Sequence, residues 1–229
     1  MATYNGSLYI ERQLRSILNQ LDQNDEVIVV DDHSSDTTLE EIEKIGDSRI
    51  KIFRNDSNKG VLKTFERSMR LASGEIIFLS DQDDIWYPEK VNSFRQTFEA
   101  CPDVTLVLSD AKIINEADEV VFDSFFKIRG AFSSGLLHNI IKNKHLGCTM
   151  AFRQSMMNKF LPFPADIPQH DIWIGCVNSI YGKTCFLNKP LMMYRRHQYN
   201  ASPLKRQGFV QVLTWRWHLI KNLCLRLME

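Results

Sequence analysis

Five cysteines, Cys101, Cys148, Cys176, Cys185 and Cys224, are all that this 229-residue chain holds, and no two form a C-x-x-C pair. That scatter argues against a zinc ribbon or a disulfide framework and fits reduced, structural thiols. Also missing is any run approaching about 18 consecutive apolar residues, so no segment reads as a membrane span. The N-terminus lacks the basic and apolar stretches of a secretory leader, and the expectation is a cytoplasmic protein. Neither sign of charge is in excess: 28 Lys and Arg balance 28 Asp and Glu. The balance is local, however, because Lys205, Arg206, Arg216, Lys221 and Arg226 face only Glu229 beyond residue 200. An acidic body with a basic tail argues against nucleic acid as the body's partner and directs the tail at something anionic. Repeats and low-complexity segments are absent too.

What is present is ordinary globular material, 44% hydrophobic and 24% charged, enough for one α/β domain with a tail. Ile10, Leu14, Ile17, Leu18 and Leu21 recur at helical spacing, and Glu26-Val27-Ile28-Val29-Val30-Asp31 reads as a buried strand. Asp36 or Thr37 then caps a helix bearing Leu39, Ile42 and Ile45, with Thr37 and Glu40 at capping-box spacing. Ile50-Lys51-Ile52-Phe53 is a second strand. Val61, Phe65, Met69 and Ala72 mark a helix ending at Ser73-Gly74, with glycine as a left-handed cap, and Ile76-Ile77-Phe78-Leu79 is a third strand. Alternation of this kind predicts a mostly parallel, Rossmann-like central sheet flanked by helices, with ligands bound beyond the carboxyl ends of its strands. Beyond a Pro88-initiated helix and the strand Val104 to Leu108 the pattern loosens. A hairpin through Asn115 to Glu119, a helix near Leu136 to Ile141, a strand at Thr149 to Phe152 and a helix from Asp171 are expected.

Acidic residues sit at those carboxyl ends: Asp31-Asp32 after one strand and Asp81-Gln82-Asp83-Asp84 after another. Three formal anions in four residues repel one another unless a cation or hydrogen-bond donors share the site. Magnesium and manganese are the natural neutralisers, since such ions take one or two carboxylates and leave room for substrate phosphates. A lone D-x-D is more often a solvated loop. Its place between an apolar strand and Ile85-Trp86-Tyr87-Pro88 favours the metal.

The run Ala2-Thr3-Tyr4-Asn5-Gly6, then Val30 to Asp36, Asn58-Lys59-Gly60 and Gly74 to Asp84, resembles the family 2 inverting glycosyltransferases of GT-A fold. The form Ser80-Asp81-Gln82-Asp83-Asp84-Ile85-Trp86, with His170-Asp171-Ile172-Trp173 and Tyr194-Arg195-Arg196-His197, is similar to the rhamnosyltransferase-like branch that builds bacterial surface polysaccharides. The resemblance implies a transferase domain over residues 1–200, nucleotide-binding in 1–100 and acceptor-binding in 101–200, and the remaining residues 201–229 read from their own spacing as a basic amphipathic helical tail. It implies a UDP- or dTDP-sugar donor, rhamnose being the branch's suggestion, and a saccharide acceptor that is lipid-linked in such pathways. Residue by residue, Ala2 and Tyr4 border the nucleotide, with Tyr4 stacked on the base, and Asp32 accepts the base imide N–H. Asp81 lies near the ribose or metal-bound water, and Asp83 ligates the metal. Asp84 steers the loop or caps the next helix. Asp171 occupies the position of the catalytic base, and Arg195, Arg196 and His197 close on the diphosphate. The dipole of the helix that Asp171 opens would keep that base ionised. Structural readings compete: Asp32 as a loop cap, Tyr4 as a turn aromatic, Asp171 as a plain N-cap, and the Arg195 to His197 run as a solvated face.

Two departures from the family stand out. Thr64-Phe65-Glu66 replaces the usual Ala-Arg-Asn, so a phosphate cation has to come from Lys63 or from Arg195 to His197. The first strand normally begins several apolar residues before the Ala2-Thr3-Tyr4 turn, so the expectation is a truncated first strand, with a start further upstream or a fragment. That truncation keeps a catalytically silent nucleotide-binding or scaffold protein as the alternative. A nucleotidyltransferase is disfavoured, because no glycine- and Lys/Arg-rich loop opens the chain. In the tail, Phe209, Leu213, Trp217, Ile220, Cys224 and Leu227 form one helical stripe. It suits packing on the body or, over residues 204–229, peripheral attachment to an anionic bilayer.

Overall fold

The computed structural model describes residues 1–130, 132–197 and 208–228. In chain order the first half runs β1 (Ala2–Thr3), α1 (Ile10–Leu18), β2 (Val27–Asp31), α2 (Thr38–Ile45), β3 (Ile50–Arg54), α3 (Val61–Leu71), β4 (Ile76–Phe78), β5 (Ile85–Trp86) and α4 (Lys90–Ala100). The second half adds β6 (Val104–Ile114), β7 (Val120–Phe122), α5 (Phe125–Arg129), α6 (Leu136–Ile141), β8 (Met150–Arg153), α7 (Met157–Phe160), α8 (His170–Tyr181), β9 (Lys183–Arg195) and α9 (Phe209–Met228).

β1, β2 and β3 pair in parallel in that order. β2 is Val-Ile-Val-Val-Asp and buried throughout, as a strand covered on both faces must be. Parallel neighbours need crossovers, and α1 and α2 supply them. α1 buries Ile10, Leu14, Ile17 and Leu18. The start of α2 departs from the expected capping box. Thr37 makes no side-chain cap bond, and the Thr38 N–H donates instead to Asp36 Oδ1 at 3.0 Å. Asp36, the other cap the sequence offers, thus reaches the first helical amide from one residue farther out. Likewise α3 ends at Ala72 in an extended conformation rather than on a left-handed Gly74.

The second sheet has the order β4-β8-β6-β9-β5, with β7 on β6. Only β6 and β9 pair in parallel; the other pairs are antiparallel. Short connections explain the difference. The Asn115–Glu119 turn folds β7 back on β6, whereas the helices between β6 and β9 permit a crossover.

β1 contributes two residues, so the first sheet is short. A cavity of about 590 Å³, lined among others by Met1, Ile28, Met69, Ile77 and Trp86, separates β2 from β4. The Met1 amine, buried there, donates to Ile28 O at 2.8 Å, and burial lowers its pKa to about 5.

The main core gathers Phe65, Phe152, Phe160, Trp173 and Val177, and α9 joins it through Leu219 and Leu223. Arg226 Nη1 donates to Leu161 O at 3.0 Å and Asn222 Nδ2 to Asp166 Oδ1 at 2.7 Å. The stripe singled out from the sequence is a neighbouring face of the same helix. Leu213, Trp217, Ile220 and Leu227 stay 47%, 65%, 40% and 56% exposed. Among the described residues no helix is long and apolar enough to cross a membrane.

Trp173 is fully buried, and its indole N–H donates to Phe160 O at 2.8 Å; it anchors α8, whose first turn carries His170 and Asp171. Trp173→Ala is expected to cost about 3–5 kcal/mol in urea unfolding.

Candidate active site

The loop from Ser80 to Asp84, between β4 and β5, faces the turn after β1. Gln82 joins them: the Tyr4 N–H donates to Gln82 Oε1 at 2.8 Å, and Gln82 Nε2 donates to Tyr4 O at 3.0 Å. The amide thus pairs with a backbone as a neighbouring strand would. The fit demands Gly6, because a Cβ there would lie 2.4 Å from Gln82 Oε1. Below, buried Gln13 donates to Ser80 Oγ at 2.8 Å, fixing the loop's start.

The two aspartates after β2 divide their work. Asp31 is fully buried and accepts the Ser34 N–H at 2.9 Å. Asp32 accepts from Asn55 Nδ2 at 2.7 Å, Lys59 N at 2.8 Å and Gly60 N at 2.9 Å. It therefore holds the Asn58–Gly60 turn while lining the cleft, and a carboxylate with about four acceptor positions keeps one for a ligand.

β9 delivers Arg195 and His197 to the acidic loop. Buried Arg195 donates its N–H to Asp84 Oδ1 at 3.1 Å, Nε to Asp83 O at 2.8 Å and Nη1 to Asn115 O at 2.9 Å, and its Nη2 pairs with Asp118. His197 Nε2 is 2.8 Å from Asp83 Oδ2, and its ring stacks on Tyr9 at 5.3 Å. Arg196 turns aside and donates to the Tyr194 hydroxyl at 3.0 Å. Lys63, the other cation considered for the phosphates, is engaged by Glu66 at 3.0 Å.

A cleft of about 400 Å³ collects most of these groups: Ala2, Tyr4, Asp32, Asp81, Gln82, Asp83, His170, Asp171 and Tyr194 all line it. It is smaller than the β2–β4 cavity, but it is the one lined by Asp32, Asp81, Asp83 and Asp171. Tyr4 stands at its mouth, 48% exposed. Arg195 and His197 brace Asp83 from outside this lining, and Arg196 turns away from it.

Burial pushes Asp81 up to about 7, with the charges of Asp83 and Asp171 adding to the effect. Burial, then Asp83 and Asp81, hold Asp84 well above the usual carboxylate range. Asp171 is also raised to about 7, by burial, although the Ile172 and Gly147 N–H groups favour its ionised form. The expectation that the α8 dipole keeps Asp171 ionised is therefore corrected: enclosure outweighs the helix terminus. Beside it His170 stacks on Phe65 at 4.1 Å, and burial lowers its pKa to about 4, so the ring is neutral.

Two donor sets suggest themselves for a divalent cation. Oxygens of Asp81 and Asp84 and the Cys148 sulfur lie within 4.8 Å of one another. Burial pushes the Cys148 thiol well up, and a protonated thiol is a poor ligand for a hard ion. Asp83 Oδ2 and His197 Nε2, 2.8 Å apart, match the separation of about 3 Å between adjacent octahedral ligands at about 2.1 Å from the metal. The Asp83 carboxylate is the kind of hard oxygen donor that Mg²⁺ or Mn²⁺ takes, with Asp81 beside it.

Gln82, Asn55 and Tyr9 went unremarked as site-builders in the sequence. Gln82 lay inside the D-Q-D-D motif, but only the fold reveals that it faces the backbone of Tyr4.

The profile described as "Glycosyl transferase family 2" matches residues 1–160. The chain belongs to glycosyltransferase family 2. It is 29% identical to the dTDP-rhamnosyl transferase RfbG of Shigella flexneri, over 96% of this chain and 82% of that one. It is 30% identical to the UDP-Glc:alpha-D-GlcNAc-diphosphoundecaprenol beta-1,3-glucosyltransferase WfgD of Escherichia coli, over 81% and 72%. The chain spans 64% of the length of similar uncharacterised glycosyltransferases from Haemophilus influenzae and Nostoc. Among solved structures it resembles Staphylococcus aureus TarS in complex with UDP-GlcNAc, with a TM-score of 0.73 at 21% identity over 96% of this chain and 65% of that one. The mannosyltransferase PcManGT of Pyrobaculum calidifontis, in complex with GDP-Man and Mn²⁺, gives 0.62 at 21% identity over 100% and 63%. These likenesses establish the GT-A fold.

Gly6→Ala is expected to push Gln82 off the Tyr4 backbone and weaken nucleotide binding about tenfold or more while the fold persists. Titration with UDP and Mn²⁺, beside a circular dichroism melt, measures both.

Proposed function

We propose that this protein transfers a sugar from a UDP- or dTDP-sugar to a saccharide hydroxyl with inversion, using a divalent ion, in the assembly of a cell-surface polysaccharide. The observation that carries this reading is the single cleft in which Asp83 and Asp171 stand with Asp81 and Asp32. Residues 1–100 would hold the nucleotide and residues 101–200 the acceptor. Tyr4 offers a stacking face to the base, and the remaining acceptor position of Asp32 suits an imide N–H. Asp83 and His197 would hold the metal, which, when bound, neutralises the diphosphate.

Asp171 takes the proton of the attacking hydroxyl. The new C–O bond forms at the anomeric carbon as the bond to the diphosphate breaks on the opposite face, and the nucleoside diphosphate departs with the electron pair. Rhamnose as donor sugar rests on the RfbG resemblance. Peripheral contact with the inner face of the plasma membrane fits the exposed Leu213, Trp217, Ile220 and Leu227, beside Arg216 and Lys221. Lys205 and Arg206, assigned to the same segment, lie outside the described residues.

Release of nucleoside diphosphate from a panel of nucleotide sugars with Mg²⁺ or Mn²⁺ tests the reading. Nucleotide binding without release or transfer from any donor would leave a silent binding protein instead. Asp83→Asn is expected to abolish transfer and divalent-dependent nucleotide binding, and full activity in EDTA would contradict the metal. Asp171→Asn is expected to keep donor affinity while kcat falls by about 10²–10⁴.

The base must be deprotonated and its pKa is raised to about 7. Wild-type kcat/KM should accordingly fall about tenfold per unit as pH drops below that value and level off above it. A profile flat from pH 5 to 8 would remove Asp171 from that role.

A further inference from the structure

A second charged cluster lies at the C-terminal end of α5. α5 ends at Gly130, whose φ of 91° is open to glycine alone among common residues. The turn brings the lysines after α6 back against it. A Cβ built on Gly130 would lie 3.5 Å from Lys144 Nζ and 3.9 Å from Lys142 Nζ, so one phosphate group can span the two ammonium groups. Lys144 is nearly buried, at 6%, and is held in place rather than swinging in solvent. Arg129, adjacent to Gly130, is exposed, and its charge reaches the Asp171 carboxylate. Neither Arg129 nor Lys142 forms an ion pair among the described residues. Two ammonium groups that converge on one point can share an anion placed there. Apolar surface borders the cluster: Leu137 and Ile141 on α6 are 76% and 63% exposed, and α6 meets α9 where Arg216 donates to Ile141 O.

We propose that Arg129, Lys142 and Lys144 form a phosphate subsite beside Asp171, so that the acceptor is a glycosyl phosphate or diphosphate gripped by its anionic group. This rests on the transferase reading above. The phosphate is a handle: no bond to it forms or breaks, and gripping it directs a sugar hydroxyl toward the carboxylate. An apolar tail on that phosphate would leave along Leu137 and Ile141.

The direct test is binding of inorganic diphosphate while the donor side is saturated with UDP and Mn²⁺. Arg129→Ala/Lys142→Ala is expected to weaken it at least about tenfold, with UDP affinity unchanged as evidence of folding, and Lys142→Arg is expected to retain it. Unchanged diphosphate affinity in the double variant overturns the subsite.

In turnover, an alkyl glycosyl diphosphate should have a KM at least about tenfold below that of the phosphate-free alkyl glycoside, and the double variant should erase the difference. Equal KM values in the wild type overturn the acceptor assignment. If the double variant loses binding to phosphatidylglycerol vesicles but keeps diphosphate binding, the cluster belongs to bilayer headgroups and the proposal falls. Failure of the transferase reading looks different: no donor is hydrolysed or transferred, while the diphosphate titration still reports on the cluster.

Discussion

Four carboxyl groups, Asp81, Asp83, Asp84 and Asp171, are confined near one cleft, and their mutual repulsion is the constraint on which the rest of the site depends. The fold meets it by three routes. Arg195 satisfies the loop from behind, through Asp84 Oδ1 and Asp83 O. The buried His197 ring meets Asp83 Oδ2. The remaining strain is relieved by protonation, which is why burial and neighbouring charge lift Asp81 and Asp84. Lys90 lies beneath, fully buried, donating to Cys148 O at 2.7 Å and resting over Trp86 at 4.1 Å. Burial lowers its pKa to about 8 against the opposing pull of Asp84 and Asp81. Its positive end is thus kept in reserve under the acidic loop.

That arrangement explains the topology of the second half. β9 runs 13 residues, from Lys183 to Arg195, and pairs with both β6 and β5. Its register on β5 sets Met192 against Trp86 and Met193 against Ile85, so the chain emerges from the strand with Arg195 already opposite Asp83 and Asp84. A sheet pairing therefore does for the acidic loop what a loop-to-loop contact would do less rigidly.

Much of this was legible in the residues. Buried runs such as Val27 to Val30 and the 3–4 spacing of Ile10, Leu14 and Ile17 mark the parallel first half, because both signals are local. The D-Q-D-D loop could be placed because a carboxylate cluster at a strand's end has few structural uses. Less could be read where the determinant is a distant partner. Gln82 answers Tyr4 across 78 positions, and Lys63 is claimed by Glu66, which no motif discloses. The raised pKa of Asp171 was missed because helix position can be read from sequence, whereas enclosure requires the whole fold. On α9, periodicity identified an apolar stripe correctly, but it could not say which of two adjacent faces meets the core.

The Gln82 clamp has one more implication. Gln82 sits between Asp81 and Asp83 and holds the backbone of Tyr4 by two hydrogen bonds. Tyr4 and the acidic loop thus belong to one stiff piece of covalent and hydrogen-bonded structure. Under the proposed function, a ligand with the wrong base would tilt that piece and displace the ion's ligands with it. Discrimination between nucleotides would then register in the speed of the chemical step as well as in the strength of binding, much as a misaligned jig spoils the cut even when the workpiece is firmly held.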